Sequence, residues 1–236
     1  MTRGRDVLTL ARWVGAPAAA SPTQTAFMFD RGEPAARLSN IGVVLESGGL
    51  AQARARLAAG ARQVLLADAA LRDISVIRSA VVEFGAPRVG AWLPVKRMEV
   101  CWSLDSQSNG DFKCMVPTNP QARWEILNSD ARRTGTEVGA WIEQLTRLGI
   151  TTVLISVDMQ DERDLDLCAG LMERFGARLW FSPLSPFSSP GPDLGAWVEF
   201  GQVRQLVLPD SNAANALAGQ LMARFASPQA AAEVVA

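Results

Sequence analysis

Several apolar runs of this sequence end on a carboxylate. The runs "VCWSLD", "TTVLISVD", "QVLLAD" and "QLVLPD" end on Asp105, Asp158, Asp68 and Asp210. Carboxylates that share a pocket can act as general acid and general base, once burial or a neighbouring charge raises the pKa of one of them. The elements around them should therefore bring the four acids together. An alternative stays open for Asp68 and Asp210, because an acid that leads directly into a helix can simply cap it.

Short apolar runs alternate with segments of helical period, which is typical of repeated βα units around a parallel sheet. Helices are predicted after strands three to eight. Eight strands with outer helices indicate an α/β fold of the TIM type, a (β/α)₈ barrel whose active site lies at the carboxyl ends of the strands. Acids at the ends of different strands would then meet in one pocket at this end of the barrel, which we call the mouth. The predicted strands are 7–10, 26–29, 41–46, 63–68, 100–105, 151–158, 178–183 and 205–210.

The first 40 residues fit this pattern least well. Only "APAAASPTQ" and "RGEPAARLSN" separate the first three predicted strands, and both are too short or too rich in proline for a helix. We expect one barrel domain over residues 1–236 whose N-terminal quarter lacks one or two outer helices. Because uncovered strands expose apolar surface, we also expect a homodimer or a partner that covers this quarter.

Composition excludes several classes of function. The 23 basic and 24 acidic residues give a net charge of -1, so neither nucleic acid nor a membrane surface is an expected partner. No apolar run approaches the roughly 20 residues that span a bilayer, and the first residues do not resemble a signal peptide, so a cytoplasmic protein is expected. Cys101, Cys114 and Cys168 form no CxxC pair and histidine is absent, which argues against disulfides, a metal site and histidine-based catalysis. We expect no cofactor.

The order of motifs resembles the HisA/HisF family of histidine biosynthesis, barrels that include the phosphoribosyl isomerase. The segment 43–73, "VVLESGGLAQARARLAAGARQVLLADAALRD", is similar to the family's third strand, glycine-rich phosphate loop, helix and fourth strand. "WSLDSQSNGDFKC" at 102–114 resembles its fifth strand, catalytic acid and hairpin, and "VLISVDMQDERD" resembles its sixth strand. The resemblance covers about residues 40 to 175.

This resemblance implies roles for particular residues. Asp105 takes the place of the general acid or base after the fifth strand, Asp158 that of the first acid of the sixth-strand motif, and Asp30 is the one candidate for the first-strand acid. The implied phosphate site consists of Ser47, Gly48, Gly49, Asp68 and Ala69, where backbone N–H groups could approach an anion. Further candidates for substrate contact are Trp124, Ser182, Asp210 and Ser211.

The sequence also departs from the family pattern. Ile155 stands where the family has a threonine, Gln160 replaces the second acid of the sixth-strand motif, and the glycine-rich loop after the seventh strand is absent. Because the family holds a substrate with two phosphates, the loss of the second phosphate loop argues against the histidine-pathway substrate. The chain is therefore interpreted as a divergent paralogue, and paralogues of this kind accompany one-carbon pathways that use tetrahydromethanopterin and methanofuran.

Two functions remain open. One is an isomerase or lyase that acts on a small phosphorylated, sugar-derived or heterocyclic substrate by carboxylate acid/base catalysis. The other is a barrel without catalysis that serves as a ligand-binding or scaffolding subunit. An open mouth with free acids beside a phosphate site favours the enzyme, and a mouth filled by tryptophan side chains favours the second function.

Overall fold

The computed structural model describes residues 8–21, 24–32, 38–98, 107–108, 113–114, 122–184, 193–209 and 211–225. Its strands are β1 Thr9–Trp13, β2 Ala26–Phe29, β3 Ile41–Leu45, β4 Gln63–Leu66, β5 Val89–Arg97, β6 Gln107–Ser108, β7 Lys113–Cys114, β8 Trp124–Leu127, β9 Arg133–Glu137, β10 Val153–Val157, β11 Leu179–Pro183 and β12 Gln205–Leu208. Its α-helices are α1 Leu50–Ala58, α2 Asp68–Arg72, α3 Ile74–Phe84, α4 Val138–Arg147, α5 Glu162–Phe175, α6 Leu194–Glu199 and α7 Asn212–Phe225. Short 3₁₀ turns occupy Pro17–Ala19, Ala86–Arg88 and Gly176–Arg178.

Eight of the strands form a closed parallel barrel. The pairing runs in chain order from β1 through β5, continues with β10, β11 and β12, and returns to β1. The pairing of β5 with β10 joins the strands β1 to β5 to the strands β10 to β12. In this pairing Ala91 lies beside Val153 and Leu93 beside Ile155. Helices cover most of the outside, so the prediction of a TIM-type (β/α)₈ barrel is confirmed.

The N-terminal quarter has fewer helices than the rest of the barrel, as predicted. Between β1 and β3, the described segments contain only the 3₁₀ turn Pro17–Ala19. β1 ends at Trp13, three residues later than the predicted strand 7–10. Arg12 interrupts the apolar run. Successive side chains of a strand point to opposite faces, so Arg12 points away from the barrel interior, to which Ala11 and Trp13 point.

The fifth barrel strand was predicted at the wrong place. β5 occupies Val89–Arg97, and the predicted strand 100–105 falls in a segment outside the described residues. The true strand contains Gly90 and Pro94, and proline normally argues against a central strand because it cannot donate to the hydrogen-bond ladder. Pro94 is accommodated at the last barrel pairing of β5, opposite Ser156, where the strand leaves the barrel. Asp105 therefore does not directly follow the fifth strand.

Beyond the barrel, β5 continues into an antiparallel extension. Its last residues, Val95 to Arg97, pair with β8, and β8 pairs in turn with β9. The backbone of β6 pairs antiparallel with β7, which is the hairpin expected after position 105. The extension projects from the carboxyl ends of the strands and so borders the mouth.

The barrel interior is packed with aromatic and aliphatic side chains. One buried cluster comprises Ala11, Phe27, Val44, Leu65, Ala67, Trp92, Leu154 and Val207, with Trp13, Phe29 and Trp180 packed against it. A second, larger cluster lies between the strands and the outer helices. Gly42 makes room for the inner cluster, because a Cβ atom there would lie 2.7 Å from the Phe27 ring.

Gly42→Ala should lower the free energy of unfolding by about 1 to 3 kcal/mol, because the added methyl group overpacks the interior against Phe27. Gly219→Ala on α7 is the matched control. Beyond the backbone of α7 itself, no atom of the described residues lies within 4 Å of a Cβ there, so alanine should leave stability unchanged or raise it by up to about 1 kcal/mol. Urea unfolding measures both, and a Gly42→Ala protein as stable as the wild type would show that the Phe27 ring can move aside.

Candidate functional site

A pocket of about 290 Å³ opens at the carboxyl ends of the barrel strands. It lies where the active site of a TIM-type barrel is expected, and its volume is close to the lower limit for small-molecule sites. We call it the mouth pocket. It is lined by Trp13, Val14, Gly15, Phe29, Arg31, Trp92, Ser156, Pro183, Leu184 and Pro209.

Aromatic rings form much of the wall of the mouth pocket. Trp13 and Phe29 stack with ring centroids 4.6 Å apart and planes 6° apart. Trp92 meets Phe29 edge to face at 5.1 Å. Phe27 and Trp180 pack edge to face in the interior cluster at 5.6 Å. The wall is therefore flat, apolar and held by ring contacts, a shape suited to a planar molecule.

Two polar side chains interrupt this apolar lining. Ser156 is nearly inaccessible to solvent and accepts a hydrogen bond of 2.9 Å from the Trp92 indole N–H. Its hydroxyl also lies 2.8 Å from that of Ser182, a predicted substrate-binding residue that is fully buried beneath the pocket. Arg31 is exposed at the rim, where its guanidinium can meet an anion without loss of hydration.

Glu46 follows β3 directly and was missed as a candidate, although its position matches that of the other acids. Burial and the negative charge of Asp68 raise the pKa of Glu46 above its ordinary value of 4.5, while the charge of Arg31 acts in the opposite direction. Among the described acids with a shifted pKa, Glu46 is the one whose pKa lies above its ordinary value. The signal available in sequence was the strand "IGVVLE", which ends on this acid.

Asp30 lies after β2 and is held as an anion by its neighbours. Its side chain is 3% exposed and forms a salt bridge of 2.6 Å with Arg56 on α1. Gln52 and the backbone N–H of Gly32 also donate to it, at 2.6 and 3.0 Å. Burial alone would raise the pKa of Asp30, but these hydrogen bonds and the Arg56 charge outweigh it and lower the pKa. Asp30 is therefore better suited to hold α1 against the mouth as a fixed negative charge than to carry a proton.

The predicted phosphate loop has the expected place in the fold. Ser47, Gly48 and Gly49 connect β3 to α1, and Gly49 is the residue that precedes the helix. The side chain of Gln52 folds over the loop, because a Cβ atom on Gly48 would lie only 1.9 Å from its amide oxygen. A side chain at position 48 would therefore have to displace Gln52, whose amide donates to Asp30.

Asp68 and Ala69 begin α2, after β4. The Asp68 carboxylate accepts hydrogen bonds from Ser129, from its hydroxyl at 2.6 Å and from its backbone N–H at 3.0 Å. Ser129 belongs to the turn between β8 and β9, so Asp68 fastens the antiparallel extension to the barrel. The alternative of a simple helix cap is not the geometry found, because the cap position of α2 is Ala67.

Two other candidates from the sequence stabilise loops. Asp158 follows β10 and accepts a hydrogen bond of 3.0 Å from the backbone N–H of Leu184, which lines the mouth pocket after β11. Ser211 precedes α7, and its hydroxyl accepts a hydrogen bond from the N–H of Ala214. Asp105 and Asp210 lie outside the described residues, and their roles stay predictions.

Trp124 lies apart from the mouth pocket. It is 1% exposed on β8, and its indole N–H donates to Asp164 at 2.9 Å. Asp164 and Asp161 at the start of α5 also bind Arg97, and these hydrogen bonds raise the pKa of the arginine. The sequence did not reveal this network, because its members are up to 67 residues apart and its three charged residues have the appearance of ordinary surface charges. The network joins the end of β5 to α5.

No profile of a known protein family matches the chain, and no curated protein matches it. Within the described ranges, no group of three or more acidic or cysteine side chains is placed to hold a metal ion. None of the helices described is both long and apolar enough to cross a bilayer.

Asp30→Asn should lower the free energy of unfolding near pH 7 by about 2 to 3 kcal/mol, because it removes the anion that faces the largely buried Arg56. Since the folded-state pKa of Asp30 lies below 3.8, the contribution of the carboxylate is complete above that value and is lost as the pH falls through the folded-state pKa. In urea unfolding, the difference between the two proteins should be constant at neutral and mildly acidic pH and shrink below about pH 4.

Glu83→Gln provides the control for the Asp30 variant. Glu83 forms a bidentate pair with Arg54, but the two side chains are 33% and 57% exposed. Exposed pairs are screened by water and salt, so this variant should change stability far less than Asp30→Asn. Equal losses of unfolding free energy in the two variants would show that burial of the Asp30–Arg56 pair adds nothing to stability.

The pKa of Glu46 should respond to its two charged neighbours in opposite directions. Asp68→Asn removes a negative charge and should lower it, and Arg31→Gln removes a positive charge and should raise it. A ¹³C NMR titration of the glutamate carboxyl carbons measures both shifts. Asp130→Asn, in the turn beside Ser129, is the control and should leave the pKa of Glu46 in place. Shifts of the same sign in the Asp68 and Arg31 variants would contradict this description.

Proposed function

We propose that this barrel binds a small planar metabolite with an anionic group in its mouth pocket. The observation that carries the proposal is the composition of the pocket, which combines the rings of Trp13, Phe29 and Trp92 with a single described charge, Arg31, at the rim. This is the ligand-binding alternative of the sequence analysis, and tryptophan side chains line the mouth pocket without filling it.

Planarity of the ligand follows from the aromatic wall. A flat heterocycle or aromatic ring can stack on an indole over its whole face, so that apolar surface of both rings is buried. The rings of Trp13 and Phe29 are held parallel, so little side-chain entropy is lost when a ligand covers the exposed face. A heterocyclic substrate was one of the two classes expected from the sequence.

Arg31 supports the anionic part of the proposal. A guanidinium binds carboxylate or phosphate through two parallel hydrogen bonds, and at an exposed rim it pays little desolvation cost. A small phosphorylated metabolite, the partner expected from the sequence, fits this arrangement. Its phosphate would lie at the rim beside Arg31, on the side of the mouth where the loop of Ser47 to Gly49 also lies.

Acid/base catalysis is a second candidate, and Glu46 is the observation that favours it. Its raised pKa is the property that a general acid needs, and Arg31 links it to the mouth pocket electrostatically. An isomerase or lyase of the HisA/HisF type would use Glu46 with Asp105 or Asp158. Membership in that family, a place in one-carbon metabolism and a homodimer remain hypotheses, and the barrel fold is the feature shared with that family.

The binding proposal predicts that Arg31 distinguishes an anion from a neutral molecule of the same shape. The wild type should bind 4-acetylbenzoate about threefold more tightly than 4-acetylbenzamide, because exposed charge pairs contribute up to about 1 kcal/mol. Arg31→Gln should bind the two probes equally. Trp13→Leu should weaken both, since it removes half of the stacked wall. Ligand-observed NMR titrations measure the affinities.

Arg147→Gln on the surface of α4 is the matched control for charge and should retain the preference for the anion. Failure of both probes to bind the wild type at millimolar concentration would refute the proposal. Binding that is indifferent to both Arg31→Gln and Trp13→Leu would place the ligand outside the mouth pocket.

A further inference from the structure

Three polar groups form a hydrogen-bonded chain at the floor of the mouth pocket. The Trp92 indole donates to the Ser156 hydroxyl at 2.9 Å, and the Ser156 and Ser182 hydroxyl oxygens lie 2.8 Å apart. Both serines are almost completely buried, with 3% and 0% of their surface exposed. They come from neighbouring strands, β10 and β11, in which they are paired residues.

The direction of the bond between the serines follows from counting donors. An indole N–H can only donate, and each hydroxyl carries one proton. If Ser156 donated to Ser182, the proton of Ser182 would be buried with no acceptor among the residues that the structure describes. A buried donor without a partner is unfavourable. The satisfied arrangement has Ser182 donating to Ser156.

In this arrangement Ser156 accepts two hydrogen bonds, and its own proton is not used within the chain of three groups. Ser156 lines the mouth pocket, whereas Ser182 does not. The remaining proton of Ser156 is therefore directed to the pocket. Two donors on one hydroxyl oxygen polarise its O–H bond, which makes it a stronger donor than an isolated serine.

We infer that Ser156 selects ligands with a hydrogen-bond acceptor, such as a carbonyl oxygen or a ring nitrogen, at the end that enters the mouth pocket. This inference rests on the proposed function and narrows its ligand class. The ligand has an acceptor at its inner end, a planar body against the aromatic wall and an anionic group at Arg31. Ser156 is a specificity-determining residue for that ligand, and Ser182 and Trp92 are positioning residues that act through it.

Two probes of nearly equal shape test the role of Ser156. In 4-isopropenylbenzoate a methylene group replaces the carbonyl oxygen of 4-acetylbenzoate, so the acceptor is lost while the planar body and the carboxylate stay. The wild type should bind 4-acetylbenzoate about fivefold more tightly, the ratio expected for one hydrogen bond. Ser156→Ala should bind the two probes equally.

Ser182→Ala tests the direction of the bond between the serines. It should retain the preference for 4-acetylbenzoate, because the proton of Ser156 is already directed to the pocket in the wild type. If the direction were the reverse, the wild type would show no preference and Ser182→Ala would gain one, a result that would overturn the inference. Should Ser156→Ala fail to fold because two donors lose their acceptor, the triple variant Trp92→Phe, Ser156→Ala, Ser182→Ala removes every member of the chain and should likewise show no preference.

The outcomes separate this inference from the proposal on which it rests. Equal binding of both probes to the wild type, with both still weakened by Arg31→Gln, would overturn the role of Ser156 and leave the proposed function in place. If neither probe binds the wild type, the role of Ser156 and the proposed function are both overturned. A preference that persists in Ser156→Ala would assign the carbonyl contact to another group.

Discussion

Closure of the barrel around its aromatic interior is the constraint on which the rest of this structure depends. Large rings from β1, β2, β5 and β11 point to the barrel axis, and Gly42 on β3 leaves the space that one of them fills. Close packing of this kind leaves little volume for other groups. The space that remains lies above the rings, at the carboxyl ends of the strands. The flat apolar faces of the rings form part of its wall.

The same constraint explains where the charges are. An ionised carboxylate inside the barrel would lose its hydration without a partner, so acids at the strand ends turn outward to partners on helices and loops. Asp30 binds Arg56 on α1, Asp68 binds Ser129 of the extension, and Asp158 binds the backbone after β11. Each contact ties a mouth segment to the barrel. The acids that suggest catalysis in the sequence are therefore also the groups that give the mouth its shape.

Glu46 and Ser156 differ from these acids, because the surroundings of each favour its role as a donor, of a proton for Glu46 and of a hydrogen bond for Ser156. Burial and the negative charge of Asp68 raise the pKa of Glu46 above that of an ordinary glutamate, and the charge of the exposed Arg31 opposes them. Ser156 accepts a hydrogen bond from the Trp92 indole N–H, and its own hydroxyl proton is not used in that bond. Ser156 lines the mouth pocket, where Arg31 is the one charged side chain among the described lining residues and the rest of the lining is almost entirely apolar. Polar groups of this kind, few and fixed, are what gives an apolar pocket its specificity.

The sequence alone determined the alternation of strands and helices, the parallel barrel and the shortened N-terminal quarter, because periodicity, proline and glycine act over a few residues. It also placed acids directly after β2 and β10, whereas Asp68, predicted as the last residue of a strand, is the first residue of α2. It did not locate β5, where Gly90 and Pro94 weaken the local signal and only the pairing with β4 and β10 specifies a strand. Which groups share a site was decided by tertiary structure. Trp92 meets Ser156 across 64 residues and Arg97 meets Asp164 across 67, and such contacts depend on how the closed barrel sets the register of its strands.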